Sequence, residues 1–363
     1  MLSSLLFVFL AASSSLASRS LTLELNGASS FVGEDSIAIT ATLTNTGTEE
    51  LVLLNDPRTV LSDIPSDIFT VVNEDGKPAR FRGVVAKYIP EAATNVVVLP
   101  PGDSVVVEHT LANTYDFRHS GPGVYSIEAL SSAFLASTSS GIVEVFADVT
   151  AHLAHIAPDL SYSDEQQPLS NDASNLEEDD TDDSDDLDDV APAPRRPKFR
   201  GCSGVRQRAI IAAARVAQRL SRESFNYLRT HSSTARYRTW FGGFNAARHK
   251  KALTGFQKIS RRSFGTATYD CTCRKNDLYA YVYPDNVGET YLCPPYFNAA
   301  TTGSDTQGGI LVHEASHWTA TADTNDHAYG QTNSKNLARR DPLKAIANAD
   351  NFEFFAENNP ALE

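Results

Sequence analysis

The stretch Gly309-Ile310-Leu311-Val312-His313-Glu314-Ala315-Ser316-His317-Trp318 decides how the C-terminal half of this chain is read. An apolar run leads straight into it, as expected of a helix entering a core. On that helix His313 and His317 stand four residues apart, one above the other on a single face, so both imidazoles can reach one metal ion. Glu314 projects beside them, toward the open coordination position of such an ion. A pair of ordinary surface histidines is the plain alternative, and the apolar run argues against it.

His-Glu-x-x-His is the zinc-protease signature. A hydrolytic zinc takes a third protein ligand and leaves its fourth position to water. The sequence offers three candidates. In the metzincin pattern a glycine and a ligand follow three and six residues after the second histidine, where Ala320 and Asp323 stand; the missing glycine counts against Asp323. In a thermolysin-like arrangement a glutamate on a later helix closes the site, and Glu353 is placed for that. Asp326, nine residues after His317, is the third.

Outward from this segment, residues 204–229 set Ile210, Ile211, Ala214, Val216, Leu220, Phe225 and Leu228 at near-helical spacing among Arg and Gln, and a second helical stretch runs about 244–259. The aromatic segments TATYDCTC (266–273), LYAYVYP (278–284) and GETYLC (288–293) predict a small sheet. All four cysteines, Cys202, Cys271, Cys273 and Cys293, lie in this half. An even number in an exported domain predicts two disulfides. Cys271 and Cys273 are poorly placed to bond each other, so each should reach for one of the other two.

The N-terminal half is a different object. Residues 1–196 carry nine Lys and Arg against 31 Asp and Glu, a net −22, whereas residues 197–363 carry 22 against 14, a net +8. The basic residues of the second half are scattered and match no nucleic-acid motif, so no nucleic-acid partner is expected. Residues 2–17 form a short apolar run ending in small residues, which predicts a signal peptide over 1–18; no stretch approaches the ~20 apolar residues that span a bilayer. The expected protein is secreted, with no membrane partner. Short alternating segments at 21–25, 36–45, 51–54, 69–72, 95–99, 104–111, 123–130 and 141–149 predict an antiparallel, immunoglobulin-like β-sandwich over residues 19–156. It carries no catalytic cluster and reads as a pro-domain or a binding module. Residues 157–197 then read as an acidic linker, with the run EEDDTDDSDDLDD at 177–189 and a dibasic Arg195-Arg196. The run lacks the glycine and ligand offsets of a calcium loop. Its charge suggests that the acidic half lies across the basic half until the linker is cut.

His-Glu-x-x-His followed by Thr324-x-Asp326-x-x-Tyr329-Gly330 resembles the deuterolysin, or aspzincin, family of secreted zinc endopeptidases, and residues 201–363 look like its peptidyl-Lys branch. The resemblance implies a mainly α, zincin-like catalytic domain over 198–363 holding one zinc. It implies zinc ligands His313, His317 and Asp326, Glu314 as general base, Tyr329 as donor to the oxyanion, and bridges Cys202–Cys271 and Cys273–Cys293. It further implies that Asp350 and Glu353, three apart on a C-terminal helix, bind the lysine after the scissile bond of protein or peptide substrates; spacing alone would read them as a solvated helix face. One departure is visible: the family's usual Gly-Thr before the aspartate is here Asp323-Thr324, which keeps Asp323 open as a substitute ligand. Such specificity would permit self-processing at Pro197–Lys198, releasing the catalytic domain from its own pro-domain. A non-catalytic exported binding protein with a vestigial metal site is the reading from another class.

Overall fold

The computed structural model describes residues 18–32, 37–112, 114–157 and 196–363. The predicted signal peptide, apart from Ser18, and the acid run with Arg195 lie outside the described residues. The described N-terminal part is built of strands: β1 (Leu21–Gly27), β2 (Ser30–Val32), β3 (Ala38–Asn45), β4 (Leu51–Leu54), β5 (Phe69–Asn73), β6 (Arg80–Phe81), β7 (Val85–Tyr88), β8 (Val96–Leu99), β9 (Ser104–Thr110), β10 (Tyr115–Asp116), β11 (Gly123–Ala129), β12 (Ala133–Thr138), β13 (Gly141–Thr150) and β14 (His152–Ala157). They form a seven-stranded sheet, β8-β4-β12-β13-β1-β3-β9, a four-stranded sheet, β2-β14-β11-β5, and the pair β10-β6.

Alternation builds this part. Leu21, Leu23 and Leu25 of β1 and Ile39, Ala41 and Leu43 of β3 point to one face and are buried, while their neighbours face outward. They share a core with Phe69 and Val71 of β5 and Tyr125 and Ile127 of β11 from the other sheet. The sheets are not antiparallel throughout, as the alternation had suggested. β1 pairs β13 in parallel, and β2 pairs β14 in parallel. Only a tight hairpin obliges neighbours to run antiparallel, and more than a hundred residues separate each of these pairs.

The C-terminal part adds β15 (Lys198–Arg200), α1 (Gly204–Thr230), α2 (Ala235–Phe241), α3 (Ala246–Arg261), β16 (Thr268–Asp270), β17 (Leu278–Val282), β18 (Glu289–Leu292), α4 (Gln307–His317), α5 (Gly330–Arg340), α6 (Pro342–Ala345) and α7 (Ala349–Glu357). Ser203, Thr234, Asn245 and Thr306 cap the N-termini of α1 to α4 by accepting a backbone N–H from the first turn. Phe241 of α2 and Phe256 of α3 interlock with Phe352 and Phe355 of α7. Disulfides join Cys202 to Cys271 and Cys273 to Cys293.

The sheet of this part holds a strand from the other half. Its order is β15-β16-β18-β17-β7, so the edge strand next to the helices is Val85–Tyr88. β7 runs antiparallel to β17, with Tyr88 opposite Leu278 and Lys87 opposite Ala280. Sequence periodicity signals no strand at 85–88: although Gly83 and Pro90 bracket it, the segment is short, shows no alternation and finds its partner about 190 residues away. Ala86 and Tyr88 pack with Leu278, Tyr329 and the Cys273–Cys293 bridge in a small core of their own.

Candidate active site

Every residue of α4 is buried, the condition of a helix packed on all sides. Gly308 and Gly309 permit it: a Cβ on Gly308 would stand 2.6 Å from Val216 of α1, and one on Gly309 would stand 2.1 Å from the Glu357 carboxylate of α7. Glu357 uses that approach to accept the N–H groups of Asp305 and Thr306 at 3.1 and 2.8 Å, which anchors the start of α4 to the end of α7.

The turn after α4 brings in the third carboxylate. Asp323 is exposed at φ 52°, so its side chain points away from the histidines. Thr324 follows; its carbonyl accepts Nδ1–H of His317 at 2.9 Å, leaving Nε2 of that ring free to bind a metal. Asp326 then lies with Oδ1 3.3 Å from His313 Nε2 and Oδ2 3.6 Å from His317 Nε2. One ligand atom from each of these three residues fits within 4.8 Å of the others. Both Nε2 atoms and both Asp326 oxygens are buried without a well-formed hydrogen bond, a density of unmatched polar atoms that suits a bound cation. Burial draws the His317 imidazole down to about 4, which favours the neutral ring, the form that can bind a metal.

Glu353 does not complete this group. Its Oε2 lies 3.3 Å from the other nitrogen of His313, Nδ1, where Asp350 Oδ1 also stands at 2.8 Å. These acids therefore sit on the side of the His313 ring away from Asp326. Glu314 is fully buried with neither oxygen hydrogen-bonded, and burial pushes its carboxyl up to about 8. Tyr329 donates its hydroxyl to the carbonyl of Ala86 at 3.0 Å. His327 is half-buried, and its backbone N–H donates to the Asn348 side-chain oxygen at 2.7 Å.

A family model described as lysine-specific metallo-endopeptidase, the aspzincins, matches residues 226–357. A peptidyl-Lys metalloendopeptidase of Grifola frondosa is 40% identical over 95% of this chain and 94% of its own length. The chain belongs to the aspzincin family. It is a metalloendopeptidase, acting on protein or peptide substrates. An extracellular protease of Aeromonas hydrophila is 32% identical to this aspzincin over 90% of the chain and 89% of that protein. A solved zinc peptidase from Grifola frondosa is 47% identical, covering 45% of this chain and all of its own, with a TM-score of 0.44.

The two acids of α7 are buried in this aspzincin, against the solvated face that spacing alone favours. They face a cation from the N-terminal part. Lys87 Nζ donates to Asp350 Oδ1 at 2.8 Å and Glu353 Oε2 at 2.7 Å, and lies 3.1 Å from Asp305 Oδ1. The rings of Phe354 and Tyr279 flank it at 5.4 and 5.9 Å. Burial alone would lower the Lys87 ammonium, but Asp350, Glu353 and Asp305 hold it well above its ordinary value. Sequence reading missed Lys87 and Asp305, and also Asn348, whose amide ties the 326–329 loop to α7 by accepting from His327 N and Ala328 N. No local signal marks them; Asn348 alone sits where a helix cap would be sought. Among the described residues no helix is long and apolar enough to cross a membrane.

Proposed function

We propose that this chain is a secreted zinc endopeptidase that cleaves on the amino side of lysine and is made as an inactive precursor, with residues 19–156 an immunoglobulin-like pro-domain, 157–197 a linker and 198–363 the catalytic domain. The observation that carries the specificity is the meeting of Asp350, Glu353 and Asp305 on one ammonium group beside the His313, His317 and Asp326 cluster. Three carboxylates around one point match the three N–H donors of an ammonium. The planar fork of a guanidinium is wider and needs its acceptors spread out. Secretion rests on the apolar run at 2–17 and on the extracellular relative.

His313, His317 and Asp326 would hold the zinc. Bound there, it would supply Lewis acidity that makes a water a nucleophile near neutral pH and polarises the scissile carbonyl. Glu314 takes the proton of the attacking water and passes it to the leaving amine; a carboxyl whose pKa is raised by burial suits a group that must accept and return a proton at neutral pH. Tyr329, its phenol kept neutral, first by burial and then by the Asp326 carboxylate, donates to the developing oxyanion. Asp350 and Glu353 hold the lysine and, through His313 Nδ1, orient a metal ligand, so substrate binding and metal geometry share the same carboxylates.

Digestion of an unrelated denatured protein by the processed enzyme, with new peptide N-termini mapped by mass spectrometry, tests this reading. Lysine is expected at nearly every new N-terminus, and a zinc chelator should abolish the cleavage. Cleavage without lysine preference would remove Asp350 and Glu353 from the proposal. No chelator-sensitive cleavage would leave the exported binding protein as the better reading.

A further inference from the structure

The contact between the two halves has the form of an enzyme with its substrate. β7 lies along β17 as an added antiparallel strand, the manner in which extended peptides bind an open sheet edge. Lys87 fills the acidic pocket, and the carbonyl just before it, that of Ala86, receives the Tyr329 hydroxyl. The register therefore sets a lysine in the lysine pocket and the carbonyl of the Ala86–Lys87 bond at the oxyanion donor. Neighbouring contacts hold the strand in place. The Ile89 N–H donates to the Asp277 carbonyl at 2.8 Å. The Arg58 guanidinium covers the Tyr329 ring at 4.4 Å and donates to the His327 carbonyl at 3.2 Å.

We propose that Lys87 is a tethered pseudo-substrate: strand β7 occupies the substrate cleft with Lys87 in the specificity pocket, and the N-terminal part thereby inhibits the enzyme by direct competition. Asp305 belongs to that pocket as a third carboxylate. It stands at φ 50°, an uncommon conformation for a residue other than glycine, which its N–H bond to Glu357 secures. The inference rests on the lysine-endopeptidase reading and explains how the precursor is kept silent. The sign of the contact is the reverse of what the net charges suggest: a cation from the acidic half enters an acidic pocket of the basic half.

The test uses the full, uncut chain, its integrity checked by intact mass, and a fluorogenic peptide with lysine after the scissile bond. Lys87→Met is expected to raise turnover by the uncut chain at least ~tenfold over wild type, because an uncharged side chain leaves the buried acids unpaired and loosens the strand. Wild-type turnover in a folded Lys87→Met chain would overturn the proposal. Activity of the same preparation after the N-terminal part is cut away is the control: if that activity is lysine-specific and chelator-sensitive while Lys87→Met has no effect, only the pseudo-substrate idea fails. A readout independent of activity is amine acylation of the Glu314→Gln chain. Lys87 should be protected while exposed Lys77 reacts, and Asp350→Asn should unmask it. Labelling of Lys87 as fast as Lys77 in the folded Glu314→Gln chain would overturn the proposal, whatever the fate of the Lys87→Met variant.

Discussion

Asp323 stands at φ 52° in the turn that delivers Asp326, the position where the resemblance places a glycine. Aspartate tolerates this region better than most side chains. Asp323→Gly should therefore leave stability within about 1 kcal/mol of wild type and cleavage unchanged, whereas Asp323→Val should cost about 1–2 kcal/mol in denaturant unfolding. Asp323 as a ligand would instead make Asp323→Gly lose metal. Asn348 carries more weight: Asn348→Ala strips the acceptor from two backbone N–H groups and should destabilise by about 2 kcal/mol. Because that amide positions the Asp326 loop, metal affinity in a chelator competition should fall about 10-fold or more. Glu314→Gln should lower kcat by about 10²–10⁴ while leaving the melting temperature of the chain nearly unchanged. His313, Glu314 and His317 were legible because their relation is local to one helix; Asp305, Lys87 and Asn348 were not, because each meets its partners from a distant part of the chain.

At the scale of elements, α4 is a helix that works only where two others leave it room. The close approach of Gly308 to Val216 predicts that Gly308→Ala costs about 1–3 kcal/mol by overpacking. Val216→Ala should recover part of that loss, a coupling that a double-mutant cycle in urea would measure. Additive losses would mean that Val216 is not the obstacle. The helices α1, α3 and α4 and the three aromatic strands were all anticipated from periodicity. The helices α2, α5 and α6 and the strands β2, β6, β10, β12 and β14 were not; β2, β6 and β10 are three residues or fewer, too short to show a period. Strand β7 escaped for a further reason: it is buried on all sides, so it shows no alternation, and Lys87 within it looks like a solvated residue.

At the scale of the whole molecule, β7 and β15 lie at opposite edges of one sheet. Four strand spacings of ~4.8 Å put Lys198 about 19 Å from the substrate strand, so the Pro197–Lys198 bond cannot reach the cleft of its own molecule in this arrangement. Self-processing there should consequently be second order: the time for half conversion of the purified precursor should shorten with concentration, and a Glu314→Ala precursor should be cut by added active enzyme but not alone. A concentration-independent rate would show that the chain rearranges first. The grip of the N-terminal part should also persist at high salt, since buried pairs such as Lys87 with Asp350 and Glu353 are screened far less than surface charges. What the sequence by itself determined was the local chemistry: a His-Glu-x-x-His helix, a carboxylate nine residues on, an acid pair at helical spacing, cysteines in pairs and alternating strands. The histidine, glutamate and acid-pair relations lie within a turn of helix and the alternation within single strands, where backbone geometry alone sets distance; the cysteines, bridged across 69 and 20 residues, were legible by their even number. Only the tertiary structure decided that Asp326 rather than Glu353 shares a centre with both histidines, that the acids of α7 are buried, and that a lysine from the other half fills their pocket. These are meetings between segments far apart in sequence, and packing alone brings them together.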